Sequence, residues 1–252
     1  MVWYKSWLET RWRFFIGLGL FMLSAGGVVY VYPQVMKLIP RLGDLETGGA
    51  LGRRIQEAVA LQRDYRGYIW SQWNRQNLTQ MATLFAVILG SGGPYSQRSE
   101  LFTLSLPVSR RRLVGVRAMA GLSELLVIIV VSFLMILLVS PSVGQSYGFV
   151  SALIHTLCAF VASAAFFSLA ALLSTSFSDI WRPLLIACAV AVVLWVAGQV
   201  IQDLNPYSIF TLMNGEKYFR SGQVPWVGLL AAGLLSAAML YAAVVNVERR
   251  DF

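Results

Sequence analysis

The sequence predicts an all-α membrane protein with six transmembrane helices, organised as a single domain over residues 1–252. Hydrophobic residues make up 57% of the chain and charged residues only 13%, and the mean hydropathy is +0.65. A soluble domain has a much more polar balance. Five long apolar runs are present, without a sequence repeat, a low-complexity tract or a linker between folded units, and this pattern indicates one multi-pass domain.

Residues 1–13 carry Trp3, Trp7 and Trp12 at near-helical spacing, with charged residues between them. This pattern predicts an amphipathic helix in the headgroup region, where indole rings favour the boundary. A cytoplasmic extension of the first span is the alternative. The first apolar run, residues 14–32, has 19 residues, which is enough for a retained span and too long for the core of a signal peptide.

The other spans follow from apolar runs close to the roughly 20 residues that cross a hydrocarbon core. The four clear runs are residues 118–139, 149–173, 184–201 and 226–245. The second span, residues 78–93, is weaker because polar residues, including Gln80, interrupt it. An even number of spans places both termini on one side of the membrane.

Residues 33–77 are predicted to form a large first outer loop. Within it, the charged stretch 53–66 fits a surface helix. Tyr68, Trp70 and Trp73 follow this stretch and mark the return of the chain to the membrane interface, because Trp and Tyr are enriched there.

Residues 202–224 are predicted to form the last outer loop, between the fifth and sixth spans. Asn205-Pro206 stops a helix, and the apolar patch 207–213 is too short to span the membrane. We therefore expect a re-entrant or interfacial helix here, with a plain solvated loop as the alternative.

The orientation follows from the adjacent Arg110, Arg111 and Arg112, which lie in the loop 94–117 between two spans. Cytoplasmic loops carry an excess of Lys and Arg. The N-terminal segment, this loop, the next loop on the same side and the C-terminal tail carry eleven basic residues, whereas the two short opposite loops carry two. Residues 33–77 carry seven more, but long translocated segments weigh less in this rule. Both termini are therefore predicted to be cytoplasmic.

The formal net charge of +8 raises the question of a nucleic-acid partner. The basic residues flank apolar spans and do not lie along one polar face with stacking aromatics, so nucleic acid is not predicted. Anionic lipid headgroups are the simpler counter-charge, and we assign Arg110, Arg111 and Arg112 to topology and lipid contact. Cys158 and Cys188 lie within apolar runs without metal-type spacing, so no disulfide scaffold or zinc site is expected.

No catalytic, cofactor or metal site is predicted in this chain. It has no phosphate-binding G-x-x-x-x-G-K-[ST] motif, so it is not expected to hydrolyse ATP, and it has no G-x-S-x-G elbow. Its single histidine, His155, excludes an H-E-x-x-H site. Glu124 and His155 are the candidates for an intramembrane polar site, with ordinary roles in helix packing as the alternative for both.

The segment after the second span fits a short docking helix. The span ends at Gly92-Gly93-Pro94, and the following residues 95–104 are mainly polar, with apolar side chains at Leu101, Phe102 and Leu104. Pro107 then breaks the segment before the arginines. A short amphipathic helix held between two spans is well placed to dock into a groove of another protein.

Two segments resemble the type-2 ABC transporter permeases. The stretch SELFTLSLPVSRRRLVGVRAMAG, residues 99–121, is similar to the first cytoplasmic loop of these permeases, which commonly ends in L-P-x-S-R before the third span. The tail VERRDF, residues 247–252, is similar to their common R-R-D ending. The chain departs from the family pattern before the leucines, where the usual acidic residue and Gly-Thr are replaced by residues 97–102.

The resemblance implies the membrane subunit of an ATP-driven exporter in the plasma membrane, which would be a bacterial inner membrane. Two copies, or this chain with a related permease, would sit on separate ABC ATPase subunits that bind ATP and Mg²⁺. Residues 96–106 would be the coupling helix, and the substrate path would follow the dimer interface along the first, second and fifth spans. The candidate ATPase-coupling residues are Glu100, Leu101, Phe102, Leu104 and Pro107.

Two other functions stay open at this point. One is a permease-like scaffold that transmits force or signals from an ATPase without moving a solute. The other, a secondary transporter, is less favoured because only Glu124 is available for ion coupling within the apolar runs and no internal repeat is visible.

Overall fold

A computed structural model describes residues 2–43, 56, 59–92, 110–177 and 179–249. Every element within these residues is helical, and none of them is a strand. Five of the helices are long and apolar enough to cross a membrane. The predicted all-α class and the multi-pass character are therefore confirmed.

The first helix, α1, runs without a break from Val2 to Gly43. The separate interfacial helix predicted over residues 1–13 is not a distinct element, so the structure favours the alternative of an extension of the first span. The predicted end of the span before Pro33 was also wrong, since α1 continues through Pro33 and Pro40. Proline disfavours a helix interior, but here it does not end the helix.

The predicted outer loop 33–77 is helical in much of its described part. Residues 59–63 are helical, Asp64 forms a bend, and α2 begins at Tyr65 and ends at Ile69. A π-helix, Trp70–Leu78, follows directly and leads into α3, Thr79–Gly90. The aromatic side chains expected at the interface are instead buried in the bundle, where Trp73 packs edge to face on Phe21.

The remaining helices begin and end within a few residues of the predicted spans, except that the third span starts earlier, with the arginines already helical. They are α4 (Arg110–Val139), α5 (Phe149–Ser174), α6 (Trp181–Val200) and, last in the chain, α9 (Trp226–Glu248). The 3₁₀ turn Ser140–Val143 extends α4. The loop after α6 contains a second 3₁₀ turn and two short helices: Gln202–Tyr207, α7 (Ile209–Met213) and α8 (Glu216–Ser221).

The bundle has two distinct ends. At the arginine end, defined by Arg13, Arg111 and Arg117, Arg111 pairs with Glu248 near the C-terminus. At the tyrosine end, defined by Tyr32, Tyr65 and Tyr147, the hydroxyl groups of Tyr65 and Ser140 lie 2.6 Å apart. The helical stretch 65–90 therefore passes from the tyrosine end to the arginine end.

The second predicted span is not among the five apolar helices. Its apolar part, α3, has 12 residues, and the preceding π-helix has the polar sequence WSQWNRQNL. The five helices that qualify are Thr10–Leu38, Arg111–Val143, Phe149–Ser174, Trp181–Val200 and Trp226–Glu248.

The helix α5 lies at the centre of the bundle and packs against α3, α4 and α9. Small residues allow this close packing, as at Gly90 of α3, where an added Cβ would lie 2.4 Å from the carbonyl oxygen of Phe167. The small residues predicted to pack in this span are largely buried, including Ala159, Ala162 and Ser163.

Candidate functional site

At the arginine end, the carboxylate of Glu124 is held between α1 and α4. The side chain is only 6% exposed, and its Oε1 accepts a hydrogen bond from the Thr10 hydroxyl. Its Oε2 has no hydrogen-bond partner among the described residues. Arg117 and Arg13 are the cations that attract this carboxylate. Glu124 is therefore a buried carboxyl group with two basic side chains nearby and not an exposed interfacial acid.

The same two arginines surround the end of α3. Arg13 Nη1 donates a hydrogen bond to the carbonyl oxygen of Ile88 at 3.1 Å. A Cβ added at Gly92 would lie 2.6 Å from Arg117 Nη2 and 3.2 Å from Arg13 Nη1, so a side chain would displace a guanidinium group. The cluster of Thr10, Arg13, Arg117 and Glu124, which we call the latch cluster, thus joins α1, α3 and α4 where residues 93–109 begin.

A second contact at this end joins α4 to the end of α9. Arg111 binds the Glu248 carboxylate through two nitrogens, Nε to Oε1 and Nη2 to Oε2, the latter at 3.0 Å. Val114 and Val247 bury each other beside this pair. The pair is exposed, so its contribution to stability is small, but it joins the beginning of α4 to the end of α9.

The other predicted site residues fall in different places. Arg110 begins α4, and Arg112 is exposed, and their assignment to topology and lipid contact stays a prediction. The predicted ATPase-coupling residues lie outside the described residues: Glu100, Leu101, Phe102, Leu104 and Pro107.

His155 lies in a buried polar cluster near the tyrosine end. Its Nδ1 donates a hydrogen bond to the carbonyl oxygen of Ser151 at 2.7 Å, and its ring stacks on Phe133 and meets the edge of Tyr218. Its Nε2 has no partner among the described residues. Of the two roles predicted for His155, helix packing and an intramembrane polar site, these contacts favour packing.

Asn74 is a functional candidate that the sequence analysis missed. It is fully buried and interacts with the Tyr147 hydroxyl, although its side-chain Oδ1 and Nδ2 make no hydrogen bond of standard geometry among the described residues. Burial raises the pKa of Tyr147, so that hydroxyl stays neutral. Asn74 lies in the π-helix, and such widened turns occur frequently at functional sites. The cluster WSQWNRQN was the only available signal, because its polarity is unusual beside a span.

The loop after α6 packs tightly against the π-helix. The indole of Trp70 stacks on Phe219 at a centroid distance of 4.5 Å and donates a hydrogen bond from Nε1 to the carbonyl oxygen of Asn214 at 3.0 Å. Gly215 has a φ of +66°, and an added Cβ would lie 2.8 Å from Cδ2 of His155. Both conditions favour glycine at this turn.

Part of this loop dips into the bundle. Gly215 lies against His155, whereas Phe210 stacks on Phe166 at a centroid distance of 5.5 Å. Phe166 is about three helical turns further along α5 than His155. The segment therefore lies between the helices at Phe210, deeper in the bundle and further from the tyrosine end, and returns toward the tyrosine end at Gly215.

The descent leaves a polar cleft of about 490 Å³ between the π-helix, α3, α6 and the loop. This volume is in the usual range for a small-molecule site. The charged lining residues are Arg75, Arg220 and Glu216, and Arg220 is paired with Glu216 at 2.7 Å. The uncharged polar lining residues are Gln76, Thr79, Gln80, Gln199, Asn205, Ser208, Thr211 and Asn214.

Comparison of the chain with protein-family models, with curated proteins and with solved structures finds no match. Within the described part of the chain, no group of three His, Cys, Asp or Glu residues could hold a metal ion. The geometry thus offers two functional features. One is the latch cluster, which fixes helix ends, and the other is the polar cleft, which can hold a ligand.

Proposed function

We propose that this chain is the membrane-spanning permease subunit of an ATP-driven ABC exporter, which provides the translocation path and couples to a separate nucleotide-binding subunit. The observation that carries the proposal is the contact between Arg111 and Glu248. Residues 99–121 and 247–252 resemble type-2 ABC permeases independently of each other. The described parts of these two segments meet at Arg111 and Glu248, and this contact supports a common docking region.

In this proposal the stretch 65–90 also crosses the membrane. It is the second pass along the chain and brings the number of passes to six. It runs between the two ends of the bundle, so six passes would place both termini at the arginine end. The positive-inside rule then makes that end cytoplasmic. Its polar π-helix is acceptable at membrane depth because irregular or polar backbone segments are tolerated where they line a cavity.

The polar cleft is the proposed part of the translocation path on this subunit. It lies between the second proposed pass and α6, the fifth, which agrees with the path that the resemblance implies. Exposed Gln80 and Gln199 would be costly against lipid. A second copy or a related permease would cover them and complete the path. Phe210 and its neighbours would form the re-entrant segment beside it.

Coupling would begin at the latch cluster. A coupling helix over residues 96–106 would start a few residues after Gly92, which Arg13 and Arg117 approach closely. A displacement of that helix by an ATPase would therefore move α1, α3 and α4 together. This movement would shift the equilibrium between inward-facing and outward-facing states. ATP and Mg²⁺ would bind to the ATPase subunit, and anionic lipids would bind around Arg112.

The proposal is tested by purifying the chain from its native membrane and identifying what accompanies it. We expect an ABC ATPase, ATP hydrolysis by the complex, and none by the chain alone. The Phe102→Ala, Leu104→Ala double variant should lose ATPase association or coupling, since truncating a buried anchor typically costs about 2 kcal/mol or more of binding. The matched control is Arg112→Gln, which should keep coupling and change lipid dependence.

Robust hydrolysis by the pure chain would contradict the permease assignment. Full association and full coupling in the double variant would instead show that another cytoplasmic element docks on the ATPase.

A further inference from the structure

The polar cleft carries a specific unbalanced charge. Arg220 is neutralised by Glu216, but among the described residues no carboxylate lies within ion-pair distance of Arg75. The guanidinium of Arg75 lies over the ring of Trp70, 5.9 Å from its centroid. This contact restricts the side chain while it leaves the guanidinium edge available for an anion, and a planar guanidinium suits carboxylate and phosphate.

One face of α6 connects this polar cleft to an apolar surface. Val192, Trp195 and Gln199 are spaced three and four residues apart, so they lie on the same face of the helix. Gln199 and Trp195 line the cleft. Val192 is 59% exposed and continues the face away from the cleft toward the middle of α6. The face is therefore polar at the cleft and apolar beyond it.

We propose that the cleft binds an anionic amphiphile, with its phosphate or carboxylate head on Arg75 and its apolar chain along α6 past Trp195 and Val192. Gln76, Gln80 and Gln199 supply amide donors and acceptors for the remaining polar atoms of the head. This inference rests on the proposed function, because it names the substrate class of the exporter.

The cleft with Arg75 and the apolar face of α6 together favour an anionic amphiphile over a neutral amphiphile or a small soluble anion. A neutral amphiphile forgoes the charge-assisted hydrogen bonds that the exposed guanidinium of Arg75 offers to an anionic head. A small soluble anion gains nothing from the exposed apolar face of α6, whereas an apolar chain would bury surface there. An anionic amphiphile pairs its head with Arg75 and also buries its apolar chain on α6.

The experiment uses the full chain, without an ATPase, in nanodiscs of zwitterionic phosphatidylcholine. The probe is dodecyl phosphate with a brominated chain, which quenches nearby tryptophan fluorescence. Each protein is compared with its own Trp195→Phe counterpart, so that the difference in quenching reports on the cleft and not on the lipid-facing tryptophans. Brominated dodecyl maltoside is the neutral probe, and inorganic phosphate is the soluble competitor.

We expect saturable quenching of Trp195 by dodecyl phosphate. Arg75→Gln should raise the half-saturating concentration at least about tenfold, the effect expected for loss of a charge-assisted hydrogen bond. Gln199→Glu should weaken binding by placing a negative charge in the cleft, and it provides a second test if Arg75→Gln folds poorly. The matched control is Arg182→Gln, at the arginine end beside Asp179, which should bind as the wild type does.

Equal quenching by the maltoside, an unchanged half-saturating concentration in Arg75→Gln and Gln199→Glu, or displacement by inorganic phosphate at concentrations similar to those of dodecyl phosphate would each overturn the inference. Since the ATPase is absent, this result is independent of export. Binding without ATP-driven release in a reconstituted complex would contradict the exporter and leave the binding site intact.

Discussion

At the scale of single residues, the latch cluster is the clearest case of a charge whose environment the fold supplies. Thr10 is 114 residues away from Glu124 in sequence, yet its hydroxyl binds the carboxylate. A buried carboxylate is tolerated only with counter-charges and hydrogen bonds. Arg117 and Arg13 provide the counter-charges.

Glu124→Ala should destabilise the protein by about 3 kcal/mol, because it leaves two guanidinium groups without their carboxylate. Thr10→Val should cost about 1 kcal/mol, since it removes one hydrogen bond only. The matched control is Glu248→Ala, which removes an exposed partner of Arg111 and should cost far less. Chemical unfolding in detergent micelles measures all three. Similar midpoints for Glu124→Ala and Glu248→Ala would show that the latch cluster does not stabilise the bundle.

Two glycines in the last loop separate backbone strain from steric contact. Gly215 and Gly222 have φ values of +66° and +70°, but only Gly215 has a neighbour, His155, within 4 Å of an added Cβ. Gly222→Ala should therefore cost about 1–2 kcal/mol from the left-handed backbone alone. Gly215→Ala should cost more and also weaken ligand binding in the cleft, because α7 and α8 must shift. Equal thermal midpoints for the two variants would contradict the packing of His155 against this turn.

At the scale of elements, the contact between α3 and α5 depends on one close approach. An added Cβ at Gly90 would lie 2.4 Å from the backbone of Phe167, which cannot rotate away, whereas Gly19 of α1 has open space around it. Gly90→Ala should separate the two helices and lower the unfolding midpoint strongly. Gly19→Ala should stabilise α1 by about 0.5–1 kcal/mol through helix propensity. If Gly90→Ala were as stable as the wild type, the native α3 and α5 would have to lie further apart than this close approach implies.

The π-helix Trp70–Leu78 shows how an element can join two functions. One side buries Trp73 and Asn74 in the bundle, and another turns Arg75 and Gln76 toward the cleft. An α-helix of the same sequence would rotate these side chains to other positions, since its turn contains fewer residues. The identity of the cleft-lining residues therefore depends on this local geometry.

At the scale of the whole molecule, orientation in the membrane is the property with the most direct test. In a background with Cys158→Ala and Cys188→Ala, a cysteine at exposed Gln223, in the loop near the tyrosine end, should react with an impermeant thiol reagent added outside intact cells. A cysteine at exposed Arg249, at the arginine end, should react only after the membrane is opened. The reverse labelling pattern would invert the orientation and remove the cytoplasmic docking region.

The sequence by itself determined the all-helical class and the positions of the fourth, fifth and sixth predicted spans to within three residues at each end. These features depend on the length and polarity of continuous segments, which are local properties of the chain. The prediction from local polarity was wrong at residues 33–43 and 65–78. Pro33 and the polar run before Leu78 suggested a loop, whereas both segments are helical. In the second segment, the side chains of Tyr68, Trp70 and Trp73 are buried in the bundle, a tertiary contact that local polarity does not predict.

Only the tertiary structure decided which polar residues meet. The contacts of Thr10 with Glu124, Arg111 with Glu248 and Trp70 with Asn214 join residues more than 100 positions apart. Hydropathy and periodicity assign a residue to a span or to one of its faces, but they do not say which other helix that face will contact. The polar cleft has the same origin, because its walls come from four segments that become neighbours only after the helices pack.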